Sequence, residues 1–128
     1  MINRASVQAW LDTYIRAWRT YDPALIGSLY AEDAIVRFSP FDEPVEGRDA
    51  IVEGWLEDKD EPDSWKASYR PIAIDGNTAV VNGRTQYVGD EGEWEYDNIF
   101  VLEFNDDGQV VNFCEWYMTP DDEDEDEE

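Results

Sequence analysis

The chain has 128 residues, 42% of them hydrophobic and 14% aromatic, which suits one domain with a packed core and leaves too little for two. Its 32 acidic against 9 basic residues give a net charge of −23, so nucleic acid and anionic membranes are poor partners. No apolar run approaches the length of a membrane span.

Residues 4–20 set Val7, Trp10, Leu11, Tyr14, Ile15 and Trp18 at helical spacing, one broad apolar stripe. Asp22 is a good N-cap and Pro23 suits a first helical position, so a second helix follows, with Leu25, Ile26, Leu29 and Tyr30 inward. "AIVRF" at 34–38 reads as a short strand ended by a loop holding Pro40 and Pro44. "GRDAIVEGWLE" is a third helix with Ile51 and Trp55 inward, and "EDKDEPD" is a charged connector. From residue 64 the pattern turns to strands: "SWKASYRPIAI", "TAVVNGRTQYV", "EWEYDNIFVLEF" and "QVVNFCEWYM", separated by "DGN", "GDEG" and "NDDG". Asp-Gly between alternating runs signals hairpins, and helices preceding an antiparallel meander pack on one of its faces, an α+β fold. Residues 1–120 form the expected domain, and the all-acidic 121–128 a disordered tail that carries eight of the 23 net charges.

Histidine is absent, which removes Ser-His and Cys-His nucleophiles and His-ligated zinc. No phosphate-loop or dinucleotide fingerprint occurs, and "NDDG" lacks the ligand spacing of a calcium loop, so no cofactor and no metal are expected. The single cysteine, Cys114, has no cationic activator beside it in sequence and reads as a structural thiol; with no signal-peptide core, a reducing cytoplasm is the simplest setting.

Carboxylates remain for acid–base work. Along "YDNIFVLEF" one face carries Asn98, Phe100, Leu102 and Phe104, and the more apolar face should meet the helices. In "NFCEWYM" the same logic puts Glu115 between Phe113 and Tyr117 on the inner face, with Cys114, Trp116 and Met118 outside beside Ile99 and Val101. Pairing across "NDDG" sets Asn98 and Glu115 near opposite ends, each facing a cavity that Tyr14 and Trp18 also reach, with no need to touch. A carboxyl among aromatic rings has its pKa raised by desolvation, which suits proton transfer near neutral pH. Two other readings stay open: Glu115 pairs with Arg37 or Arg84 and fixes the sheet, or the faces are reversed. The outer apolar patch fits a two-fold homodimer contact.

The segments "WLDTYIRAWRTYDPALIGSLYAEDAIVRFSPF", "VEGRDAIVEGW" and "YDNIFVLEFNDDGQVVNFCEWYM", in this order and spacing, resemble the nuclear transport factor 2-like superfamily, and within it the small bacterial SnoaL-like proteins. The resemblance covers about residues 5–118. It implies a cystatin-like cone: a curved antiparallel sheet wrapped around N-terminal helices, enclosing a pocket. Tyr14 matches the oxyanion-hole tyrosine of ketosteroid isomerases, an enzyme that serves as a general example of pKa tuning. Their general-base aspartate would fall where this chain has Phe38 and Ser39, and their second oxyanion-hole acid aligns with Phe100, so steroid isomerisation is not supported. Glu115 and Asn98 match polar positions common in SnoaL-like proteins. The resemblance implies a pocket for a small apolar or aromatic organic molecule, with Glu115 and Tyr14 as the catalytic candidates. Trp18, Tyr30, Trp55, Asn98, Phe100, Phe113 and Tyr117 are the ligand-binding candidates. Carboxylate-based isomerase, cyclase or dehydratase chemistry is open to such a site; the alternative is a non-catalytic dimeric ligand-binding or assembly module.

Overall fold

The computed structural model describes residues 2–57, 59–61, 63–89 and 92–119. Helix α1 (Arg4–Thr20) opens on a reciprocal cap: Ser6 N–H donates to Asn3 Oδ1 at 2.8 Å and Asn3 N–H to Ser6 Oγ at 2.9 Å. It ends where Tyr21 enters the left-handed region, its N–H returning to the Ala17 carbonyl at 2.7 Å. The predicted stripe is the buried one, with Val7, Trp10, Leu11 and Tyr14 inside and Ile15 and Trp18 partly so.

Helix α2 (Pro23–Ser28) starts as expected, with Asp22 Oδ1 accepting from the Ala24 N–H at 3.0 Å. It stops sooner than its apolar spacing suggests. Tyr30, expected on this helix, begins strand β1 (Tyr30–Arg37), because the Val110 N–H donates to the Leu29 carbonyl at 2.9 Å and draws the chain into the sheet. A two-residue strand β2 (Val45–Glu46), which the sequence did not announce, pairs with β1 and leads into α3 (Arg48–Glu57).

Strands β3 (Trp65–Asp75), β4 (Thr78–Gly89), β5 (Gly92–Phe104) and β6 (Val110–Met118) form the expected antiparallel meander. The six-stranded order is β2-β1-β6-β5-β4-β3, and β1 lies parallel to β6, so the sheet is antiparallel except at that one pair. Register shifts at Pro71/Ala73 and Glu103/Phe104 add curvature. The second lets both Val110 and Phe113 point inward although they are three apart. The helices fill the concave side, where Asn98, Phe100, Leu102 and Phe104 are all buried, the face chosen from sequence. No helix among the described residues is long and apolar enough to cross a membrane. The acidic stretch 121–128 lies outside the described residues.

Candidate functional site

A cavity of about 420 Å3 opens at the end of the cone away from the β5–β6 turn, within the usual range of ligand sites of about 300–1,000 Å3. Helix α1 sends Tyr14 and Trp18 to it, and α3 sends Trp55. Strands β5 and β6 supply Asn98, Glu115 and, at the rim, the half-exposed Tyr117. Three other ligand-binding candidates fall behind the wall. Tyr30, Phe100 and Phe113 are sealed in the core and do not line the cavity. Phe100 and Phe113 sit 5.0 Å apart and pack on Tyr14 at 5.8 and 6.2 Å between ring centres, so they fix the ring that does reach it. Tyr30 was drawn away by its recruitment into β1.

Glu115 and Asn98 touch. Asn98 Nδ2 donates to Glu115 Oε2 at 2.6 Å, contrary to the expectation that they stand at opposite ends. The register shift near the turn sets Phe100 opposite Glu115 and makes Asn98 its diagonal neighbour on the same face. The bond is one link of a longer chain. Thr85 Oγ1 donates to Asn98 Oδ1 at 2.9 Å, so the 2.6 Å contact between Thr85 and Tyr69 must carry the tyrosine's proton. Three donors, on Tyr69, Thr85 and Asn98, thus point one way, toward the carboxylate.

Neither candidate arginine reaches Glu115. Arg84 is one residue out of phase with Thr85 and points to the opposite face, where it pairs with Glu95 and Asp97, each at 3.1 Å. Arg37 stands beside outward-facing Cys114 and offsets part of the burial that raises that thiol. Without a cationic partner, burial pushes the Glu115 carboxyl from 4.5 up to about 7, with the Asn98 bond pulling weakly the other way. Oε2 is held and Oε1 has no hydrogen-bond partner among the described residues.

Tyr14 is the second polar group in the cavity. Its side chain is only 7% exposed, and its hydroxyl makes no hydrogen bond with a described residue. Burial, then the neighbouring Tyr30, Tyr69 and Glu115, hold that hydroxyl well above the usual tyrosine range, so it stays a neutral donor. The Trp55 indole N–H and the Tyr30 hydroxyl are also buried, and among the described residues they meet only each other, with too loose a geometry for a full hydrogen bond.

Sequence reasoning missed the wall built by β3 and β4. Tyr69, Thr85 and Tyr87 belong there, with Tyr96 from β5 and Asp60 from the connector. The signal was parity: Thr85 and Tyr87 are in phase with buried Ala79 and Val81, but the adjacent Val80 and the polar centre of the strand hid the inner face. Asp60 had no signal in the sequence; Trp18 Nε1 donates to its Oδ2 at 3.0 Å, and its own N–H donates to the Tyr21 hydroxyl at 2.8 Å. A larger open groove of about 790 Å3 between α2 and α3 lies apart from this carboxylate and collects no comparable network.

The fold corresponds to what comparisons with known proteins find. The family model for the SnoaL-like domain matches residues 11–113. No curated protein matches the sequence. Among solved structures, a candidate ketosteroid isomerase from Kribbella flavida superimposes with a TM-score of 0.68 at 21% identity, covering 90% of this chain and 79% of that one. A ketosteroid isomerase-like protein from Erwinia carotovora atroseptica gives 0.62 at 18% identity, over 91% and 97% of the two chains. A nuclear transport factor 2-like protein from Cytophaga hutchinsonii gives 0.68 at 11% identity, over 90% and 98%. At such identities these structures speak for the fold alone, a nuclear transport factor 2-like one, while the family match spans most of the chain: this protein belongs to the SnoaL-like domain family.

Proposed function

We propose that the protein binds a small, largely aromatic or apolar organic molecule in the cone and moves a proton on it with Glu115. The observation that carries this reading is the state of that carboxyl: raised to about 7 by burial, fixed through Oε2, and lining a cavity that Tyr14 also lines, whose hydroxyl takes no hydrogen bond among the described residues. A base with a pKa near working pH is half available for taking a proton and half for returning it. Tyr14 would donate to a carbonyl oxygen and stabilise the charge that develops there when the adjacent carbon loses its proton. Such a step is shared by isomerisation, cyclisation and dehydration. The ketosteroid isomerase arrangement itself is not reproduced, since Phe38 stands at the rim and Phe100 in the core where the remaining acids would be needed.

The test is deuterium wash-in at carbons next to the carbonyl across a panel of cyclic ketones in heavy water, with mass spectrometry of any molecule that copurifies. Wild type should exchange faster than Glu115→Gln, and Tyr14→Phe should lose roughly 100-fold or more in rate, the usual cost of one oxyanion donor. Equal exchange by wild type and Glu115→Gln, with nothing bound on purification, would remove the proton-transfer reading.

One observation favours a second reading, a dimeric binding or assembly module. Trp116 and Met118 are 44% and 65% exposed on the outer sheet face, continuous with the half-buried Ile99 and Val101. A patch of this kind suits a two-fold contact between sheets, and it is compatible with a working cavity on the other face.

A further inference from the structure

From the rim of the same cavity, and resting on the reading of it as a ligand site, we infer that its ligand is an organic cation, an amine or quaternary ammonium whose uncharged end reaches Glu115 and Tyr14. Rings follow one another along the rim. Trp18 and Tyr87 are 6.3 Å apart, Tyr87 and Tyr96 5.8 Å, and Tyr96 and Tyr117 5.4 Å, the last two contacts edge to face. Electron-rich ring faces at this spacing attract an ammonium group and are indifferent or hostile to an anion. Asp60 sits among them, oriented by the Trp18 indole N–H on Oδ2, with Oδ1 taking no hydrogen bond from a described residue. The Tyr87 hydroxyl is raised by burial first, then by Asp60 and Glu115, so one rim group feels both carboxylates. Asp42 adds a third carboxylate to the lining, and no Lys or Arg among the described residues lines the cavity. Two cations of the chain already sit on neighbouring rings: the Lys59 ammonium lies 5.7 Å over Tyr21, and the Arg19 guanidinium 4.9 Å over Trp65, which stacks on Trp18. The net charge of −23 draws cations toward the opening and repels acids. Deeper in, the nine-tenths-buried Tyr14, its hydroxyl without a hydrogen bond among the described residues, marks the end meant for a polar, uncharged group.

Three benzyl probes separate charge from size: benzyltrimethylammonium, its uncharged isostere neopentylbenzene, and the smaller phenylacetate as the anion. Binding to the full chain is followed by NMR at about physiological ionic strength, with the Trp18 and Trp55 indole N–H signals reporting occupancy of the cavity. The cation should bind at least about tenfold more tightly than the isostere, and phenylacetate should not move these signals. Asp60→Asn keeps an acceptor for Trp18 and should remove most of the cation's advantage while leaving the isostere unchanged. Glu115→Gln should abolish proton transfer yet retain most of that advantage. If the isostere binds as well as the cation, or Asp60→Asn changes neither, the inference falls and the cavity reading stands. If no probe moves Trp18 and Trp55, both fall. Cation-induced shifts confined to residues outside the cavity, as from its acidic exterior, also overturn it.

Discussion

Glu115 costs the fold stability at neutral pH, and that cost has a sign that can be measured. Its carboxyl is raised from 4.5 to about 7, so between these values the folded chain holds more protons than the unfolded one. Stability therefore falls as pH rises through this window, and the full penalty is present above about 7. The gap corresponds to about 3 kcal/mol at most, before the relaxation and water entry that a half-buried cavity allows. Glu115→Gln keeps the shape and an acceptor for Asn98 while removing the charge. Denaturant titrations should show the variant more stable than wild type at pH 8, by about 1–3 kcal/mol, and the two converging below about pH 4.5. A large loss at pH 8 would mean an uncompensated arginine and a structural carboxylate. Tyr14→Phe removes a hydroxyl that has no hydrogen-bond partner among the described residues, so its stability should stay within about 0.5 kcal/mol while ligand affinity or turnover drops.

At the level of elements, the site depends on one glycine in β4. Gly83 pairs with Tyr69 on one side and Asn98 on the other, and a Cβ there would collide with the Ser68 carbonyl and with the ring and backbone of Tyr69. Its bare backbone lets the Tyr69 ring lie across the sheet, 4.8 Å from Phe100 and within hydrogen-bonding reach of Thr85. Gly83→Ala should cost about 1–3 kcal/mol, the range of overpacked sites. It should also loosen the donor chain that ends on Glu115. The chain's release would show as a change in the pH midpoint of Glu115, followed by its side-chain carboxyl NMR signal; a variant with unaltered stability and midpoint would count against this role for the glycine.

For the molecule as a whole, charge and the outer sheet face set the behaviour. A net charge of −23 on 128 residues repels itself, so the melting temperature should rise as salt is added from low to about physiological strength, because screening reaches about 8 Å there. If the outer patch joins two copies, Trp116→Glu should convert a dimer to a monomer in sedimentation while the cavity signals of Trp18 and Trp55 persist. A wild-type chain sedimenting as a monomer at tens of micromolar, about where standard-sized interfaces stay occupied, would refute the contact.

The sequence by itself determined the parts governed by local chemistry. The α1 stripe, the Asp22–Pro23 start of α2, the four strands after residue 64 and the inner face of β5 follow from side-chain period, capping and turn residues. The family segments, read together, pointed to the fold class, and the reading named Tyr14, Trp18, Trp55, Asn98 and Glu115 among the pocket candidates, five residues that line the cavity. Only tertiary structure decided the rest, because it turns on distances between segments far apart in the chain. Tyr30 left its helix for a parallel pairing with β6, and the observed register set Phe100 opposite Glu115 with Asn98 on the diagonal, hydrogen-bonded to it. Parity sent Arg84 away from that carboxylate, while the β3–β4 hairpin delivered Tyr69 and Thr85 to it. A carboxyl's pKa depends on what surrounds it within a few ångströms in three dimensions, and no spacing along the chain specifies that surrounding.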